Sequence, residues 1–443
     1  GKYAELMREK PETGAALVTW VWLTYHVGSF VAALLTGPIA DSSYGIQTVF
    51  WICLPLAAQV SIPVALGYLK DVRRKQGDRG VRWGKLRQHP KIFMLSMGMA
   101  AGAFGQALVN LFFRPFPMVL LAYSVSASCV LIVAAFWAMP ITLAKANLFL
   151  FLDAVVYIQI GGALEYWFTA SHDCVPSGPA FDYTYYSTYT RVVGSIAAMA
   201  GVALFQHVMG EWRMRKIFVT TTILRSLAGL FDIIMVERVN IAIGISDKWM
   251  YMLGDAIIYE VAYMLNFMPV VVLISKLCPK DMESTTYAVL AGFSNFGQQV
   301  ASTLGIVFIT GYGIKSEVTT KCSATGATGC TLNVTAIDES GNVCPALDCF
   351  EIPCKWDNLS VIIFLTHILI PLAIVPLSFV LIPDAACTDD MSSGLFGDPV
   401  TTSGGLELTE VRGRDDQEVD EDAKEKAKEE DATQSFKDTE HLL

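Results

Sequence analysis

The sequence predicts an all-α polytopic membrane protein, on three observations. Of 443 residues, 53% are hydrophobic and 17% charged, and the mean hydropathy is +0.45, outside ordinary soluble composition. About ten apolar stretches have the roughly 20 residues that a helix rising about 1.5 Å per residue needs to cross about 30 Å of hydrocarbon. Lys and Arg collect in alternate connections, as cytoplasmic loops require.

Taken in order, the predicted spans are 14–36, 45–69, 91–112, 116–139, 143–167, 191–209, 217–236, 249–275, 284–312 and 357–382. Several end at Gly, Pro or a charge: "GPIADSSYG" after the first, "FRPF" after the third, "MPIT" after the fourth and "GEWRMRK" after the sixth. Such residues stop an apolar helix or pull it into water. The first residues, "GKYAELMREKP", show no charged region followed by an apolar run and cleavage site, so no secretory leader is expected.

"KDVRRKQGDRGVRWGKLRQHPK", "EWRMRK" and "SKLCPKD" fall on one side of ten spans, which puts that side and both termini in the cytoplasm. The opposite loops carry Cys174, Cys322, Cys330, Cys344, Cys349 and Cys354, enough for three disulfides on an oxidising side. The 313–356 loop also holds the sequon at Asn333, a glycosylation acceptor if it faces the lumen. A second sequon, at Asn358, lies close to the next span. Cys387 follows the last span at a position compatible with palmitoylation.

The net charge of −10 belongs to the tail, since residues 383–443 hold 18 acidic and 6 basic residues. That acidic, aromatic-poor segment cannot bury enough apolar surface to order itself. Its last residues, Asp438 to Leu443, fit an acidic dileucine pattern read by trafficking adaptors. Nothing in the charge pattern points to nucleic acid. No Gly-rich phosphate loop, HExxH or GxSxG occurs, and the 6 His are not at metal-ligand spacing. No enzyme activity, cofactor, catalytic residue or metal is therefore expected.

Ionisable side chains at bilayer depth cost roughly 2.5–3.5 kcal/mol each on insertion scales, so they usually face a bundle interior and are paired or functional. Asp153, Arg225 and Glu260 lie near the middle of their spans, and Asp232 and Asp255 a third of the way from the outer face. These five are the candidate substrate or proton pathway. Arg225 and Asp232, seven apart, share one helix face at two depths. The antiparallel neighbour brings Asp255 and Glu260 to matching depths. As an α-helix separates those two by about 140°, only one of them faces Arg225 squarely. The expectation is Arg225 clustered with Asp255 or Glu260, one carboxylate remaining for protons or substrate. Gln159, Asn266, Asn295 and Gln298 are cavity-lining candidates, with Gln299 beside them.

Long stretches in fixed order, "FTASHDC", "FDYTYYSTYT", "ILRSLAGLFDIIMVERVNIAIGISD", "MYMLGDAII" and "SKLCPKDMESTTYAVLAGFSNFGQQVASTLG", resemble the folate and biopterin transporters of kinetoplastid protozoa, relatives of the major facilitator superfamily. The resemblance implies a plasma-membrane transporter of two helical bundles working by alternating access, with the site between bundles near the bilayer midplane. On that template residues 1–70 hold the last two helices of an N-terminal bundle and 71–90 form a basic cytoplasmic loop. Residues 91–139 are an inserted helix pair, 140–382 a six-helix bundle and 383–443 the acidic tail. About four helices of the first bundle are not in this chain. The implied substrate is folate, biopterin or another pteridine, moved with H+ across the lipid bilayer. Asp232 or Asp255 would accept the N–H edge of the pterin ring, and Arg225 would hold a substrate carboxylate or balance a proton-carrying carboxylate. The competing reading is a non-transporting receptor or an inactive truncated relative.

Overall fold

In the computed structural model the described residues are 14–40, 47–68, 87, 90–182, 184–278, 283–315, 319–322, 336–337, 343–344, 349–352 and 354–389, with side chains not described throughout 316–353. The chain divides into units 1–398 and 399–443, the second lying wholly outside those residues. The chain is an all-α multi-pass membrane protein. Ten long helices follow one another: α1 Gly14–Ala40, α2 Gln47–Ala65, α3 Pro90–Phe112, α4 Pro117–Ala138, α5 Ile141–Thr169, α6 Tyr185–Met209, α7 Met214–Val236, α8 Asp247–Lys276, α9 Glu283–Gly311 and α10 Leu359–Leu381. Nine of the described helices are long and apolar enough to cross a membrane. The tenth, α9, has the length at 29 residues but carries Asn295, Gln298 and Gln299, which make it more polar.

Helix α5 differs from the uninterrupted span predicted. It stops at Val156, leaves helical geometry over 157–160 and restarts at Gly161. The local sequence "YIQIGG" alternates β-branched residues with polar ones and ends in two glycines, a weak helix former throughout. Irregular backbone at membrane depth persists only where protein or a cavity satisfies it. Here the Gln159 amide donates to the Ala301 carbonyl of α9 at 3.3 Å. A Cβ at Gly305 would overlap the Gln159 carbonyl oxygen, so α9 meets the break through a residue without a side chain.

The chain also winds wide in places. Residues Met252–Tyr259 of α8 and Phe364–Leu369 of α10 are π-helical. In a π-turn residues five apart stack, whereas in an α-turn those four apart do.

Apolar packing forms two clusters. One gathers Phe149, Phe205, Phe218, Met268 and Phe293, toward the ends of the helices that carry the basic loops; the other gathers Phe168, Phe181, Met235, Leu359 and Ile362, toward the Cys-rich loop. Along α5, α7, α8 and α10 the intervening residues are the polar ones. Helix α1 packs on α6 and α8, α5 on α9, and the α3–α4 pair on α9.

On the Cys-rich side Cys174 and Cys354 form a disulfide. Two short antiparallel ladders follow α9: β1 Thr319–Cys322 with β4 Cys349–Ile352, placing Cys322 opposite Cys349, and β2 Ala336–Ile337 with β3 Val343–Cys344. Cys330 and Asn333 lie outside the described residues. Asn358 donates its amide to the Tyr312 carbonyl at 3.0 Å.

On the basic side the predicted tail starts too early, because residues 384–389 belong to the fold. Met214 N–H donates to Ala385 O at 2.9 Å and Cys387 N–H to Trp212 O at 3.0 Å. Arg213 pairs with Asp384 at 2.8 Å, and Lys276 Nζ donates to Asp389 O at 2.9 Å. Cys387 is 1% exposed, with its thiol against Met214 Sδ, which removes it from the reach of a palmitoylating enzyme.

Candidate functional site

Between the two apolar clusters lies a cavity of about 410 Å³. The break in α5 forms one wall, with Tyr157, Gln159, Gly161 and Gly162; α7 supplies Arg225 and Asp232, α8 supplies Asp255 and Tyr259, and α10 supplies His367. The N-terminus of the restarted half-helix, Gly161–Thr169, borders the same space, and unsatisfied amide N–H groups there favour electron-rich ligand atoms.

Arg225 is held as a cation among rings. Its guanidinium carbon is 3.5 Å from the Tyr157 ring centre, 5.0 Å from that of Tyr263 and 5.9 Å from that of Tyr259. Its Nη1 donates to Asn266 Oδ1 at 3.1 Å and its Nη2 to Tyr259 Oη at 3.5 Å, while Asn266 Nδ2 donates to Thr221 Oγ1 at 3.4 Å. Nε has no hydrogen-bond partner among the described residues. The expected ion pair with Asp255 or Glu260 is not formed: among the described residues no carboxylate lies within ion-pair distance of Arg225. The aromatic faces of α5 and α8 fill the space that a carboxylate would need, and cation–π attraction takes the place of the salt bridge.

Asp232 and Asp255 come together from α7 and α8 on the other side of the cavity. His367 Nδ1 is 3.3 Å from Asp232 Oδ2, and the Asp232 side chain is 4% exposed. Asp232 Oδ1 and Asp255 Oδ2 are buried with no hydrogen-bond partner among the described residues. The cavity is therefore dipolar, with a caged cation facing a pair of carboxyls.

A second cavity, about 790 Å³, runs between α1 and the α6–α8 pair. Asp255, Glu260 and Gln298 line it, and Tyr251, Asp255 and Tyr259 line both cavities. Of Asp255 and Glu260, Asp255 shares the first cavity with Arg225 and Glu260 does not, while both border the second. The π-turn through 252–259 widens α8, so residues five apart come round to one face. From α6, Arg191 lines the same cavity as Glu260, and Gly194 packs against the Glu260 side chain. Helix α1 contributes His26, whose Nε2 is 3.1 Å from Met264 Sδ, and Trp22, edge-on to Phe267 at 4.6 Å.

Of the remaining candidates, Asp153 is 6% exposed and belongs to neither cavity's lining, in the field of Arg225. Asn266 is buried and positions Arg225. Asn295 belongs elsewhere: with Gln299, Gln106 and Asn110 it lines a separate cavity of about 620 Å³ between α3 and α9. Sequence reasoning passed over His367 and the tyrosines. His367 did carry a signal, as an ionisable group inside a predicted span. The tyrosines carried none, since amphipathic rings are common in membrane helices.

The profile described as the BT1 family matches residues 1–394. "Probable folate-biopterin transporter 5" of Arabidopsis thaliana is 33% identical over 161 residues, 36% of this chain and 32% of that protein. "Folate-biopterin transporter" of Synechocystis sp. is 37% identical over 115 residues, 26% of this chain and 23% of that protein. "Folate transporter 2" of Plasmodium falciparum is 22% identical over 134 residues, 27% of this chain and 29% of that protein. The matched region thus spans about a third or less of each relative's length. These relatives are named as transporters, not enzymes. No solved structure matches the chain.

Proposed function

Because this chain belongs to the BT1 family, we propose that it carries the substrate site of a transporter for folate, biopterin or a related pteridine, working by alternating access and coupled to protons. The observation that supports this most is the dipolar cavity, with caged Arg225 on one side and Asp255 beside Asp232 on the other. A pterin is flat, with adjacent N–H donors along its pyrimidine edge and a ring carbonyl nearby. Asp255 accepts the donor edge, Tyr157 and Tyr259 offer ring faces, and Arg225 takes a carbonyl or carboxylate oxygen. The volume of about 410 Å³ suits a ligand buried on most sides. The adjoining cavity of about 790 Å³, entered past Asp255 and Tyr259, takes the longer remainder of a folate.

Proton coupling is supported by the second carboxyl. Two buried carboxylates side by side repel as anions, and a proton shared between them removes the repulsion. Alternating access fits the position of the second cavity, where α1 of the proposed first bundle meets α6 and α8 of the proposed second. In this reading residues 91–139 remain an inserted pair. The basic connections face the cytoplasm at the plasma membrane, the face bearing the Cys174–Cys354 disulfide lies outside, and the acidic tail recruits its adaptor within.

Uptake of labelled folate and biopterin by transport-deficient cells expressing the intact protein tests this, with Arg225→Ala, Asp232→Asn and Asp255→Asn beside wild type. Each variant should lower uptake about tenfold or more, as loss of one charged contact of about 1.5–3 kcal/mol implies. Wild-type cells that accumulate neither substrate, with or without a proton gradient, sink the reading.

A further inference from the structure

Resting on that transport reading, we propose that His367 of α10 exchanges a proton with Asp232 and so loads the Asp232–Asp255 carboxyl pair, which makes His367 a proton-coupling residue. In the exchange a proton on Nδ1 passes to Asp232 Oδ2, leaving neutral imidazole and a neutral carboxyl, and the reverse step restores imidazolium and carboxylate.

The geometry is that of a built contact. His367 Nδ1 lies 3.3 Å from Asp232 Oδ2, within reach of a proton transfer after a small tightening. The imidazole is 15% exposed and its partner 4% exposed, and both border the first cavity. Two features bring the ring there. The π-turn Phe364–Leu369 widens α10 at this residue, and α7 approaches through Gly229, where an added Cβ would come within 2.9 Å of His367 Cβ. Beyond Asp232 the line of ionisable groups continues through Asp255, which faces both cavities, to Glu260 in the second. A proton admitted at His367 therefore has carboxyl partners leading from the cavity inside the helices to the one beside α1.

The surrounding charges leave this role to His367. On α7, Arg225 stays a cation engaged with Asn266 and Tyr259. On α8 the facing groups are Asp255, Glu260 and the phenols Tyr251 and Tyr259; on α6 they are Tyr185 and Tyr186; on α5 they are Tyr157 and, outside the cavity lining, Asp153. Helix α9 contributes the uncharged Ser302. Imidazole is the side chain that both accepts and releases a proton near neutral pH, which phenols and guanidinium do not.

The test uses the intact protein in proteoliposomes, with labelled folate and labelled biopterin as probes. Gradient-driven accumulation, substrate counterflow and substrate-triggered proton movement are measured together. His367→Asn keeps a hydrogen-bond donor near the Nδ1 position and does not titrate. It should cut the ratio of gradient-driven accumulation to counterflow about tenfold and flatten the pH profile of uptake. His367→Gln, equally unable to titrate, should give the same split, and serves where His367→Asn fails to assemble. Gradient-driven accumulation with wild-type proton movement and pH profile in either variant overturns the proposal. Equal loss of accumulation and counterflow also overturns it, because that is what a structural role produces. Absence of counterflow in wild type with both substrates overturns the transport reading instead.

Discussion

The guanidinium of Arg225 lies 3.5 Å from the centre of the Tyr157 ring, at the point where α5 stops being a helix. One contact thus joins the buried cation of α7 to the irregular backbone of α5. The break turns a ring face toward the cation, and the cation covers a ring that would otherwise face a polar cavity. Replacing Tyr157 with Phe keeps the face and should change substrate affinity by about twofold or less. Tyr157→Leu removes it and should weaken binding about 2- to 30-fold, the range for cation–π contacts of about 0.5–2 kcal/mol. Equilibrium binding of labelled biopterin to the purified protein measures both. Equal loss in the two variants would assign the effect to the hydroxyl.

Gly305 predicts the cost of crowding the same break. A Cβ there overlaps the Gln159 carbonyl oxygen, which is backbone and cannot swing aside. Gly305→Ala should destabilise the protein by about 1–3 kcal/mol, as overpacking does, and Gly305→Val by more. Thermal unfolding in detergent gives the order. An alanine variant with wild-type stability would mean that α9 and α5 separate freely.

Arg238, in the loop between α7 and α8, adopts a left-handed backbone with φ of 58° and forms a bidentate pair with Asp247 at 2.8 and 2.7 Å. Asp247 also accepts from Asn240 Nδ2 at 2.9 Å. Arg238→Ala loses the pair and keeps the strained backbone, at about 1.5–3 kcal/mol for charged hydrogen bonds. Arg238→Gly loses the pair but relieves the backbone, so it should be more stable than the alanine variant by about 1 kcal/mol. Denaturation of the two variants side by side decides it.

Cys387 makes a prediction about pH. Burial pushes its thiol up to about 11, against weak opposition from Lys276. A group whose folded pKa is raised contributes stability that is fully present below its unfolded pKa and fades as pH rises toward 11. The thiolate is the reactive form, so alkylation of the folded protein at pH 8 should be at least about tenfold slower than after unfolding. Mass spectrometry after timed iodoacetamide treatment reads this, and rapid labelling of folded protein would contradict the packing against Met214.

Apolar length decided most of the membrane architecture without any contact being known. A residue string either does or does not offer about 20 apolar positions, and lipid enforces the outcome. Depth was legible for the same reason, because position along a span is position across the bilayer. Asp153, Arg225 and Glu260 were therefore identifiable as a mid-span set, with Asp232 and Asp255 nearer the outer face, before their neighbours were known. Their partners were not. Pairing Arg225 with Asp255 or Glu260 rested on matched depth alone, and depth does not say which side chains stand between; the rings of Tyr157, Tyr259 and Tyr263 do.

By itself, then, the sequence determined a multi-pass helical protein with ionisable residues inside its spans, because both follow from counting residues along the chain against transfer energies that add residue by residue. Its motif order also pointed to the transporter family. Only the tertiary structure decided that α5 breaks at Tyr157, that tyrosines and Asn266 hold Arg225, that His367 meets Asp232, and that Asn295 turns to another cavity. Those outcomes depend on how ten helices rotate and approach one another, which is set by packing between residues distant in the chain and leaves no local mark in any one of them.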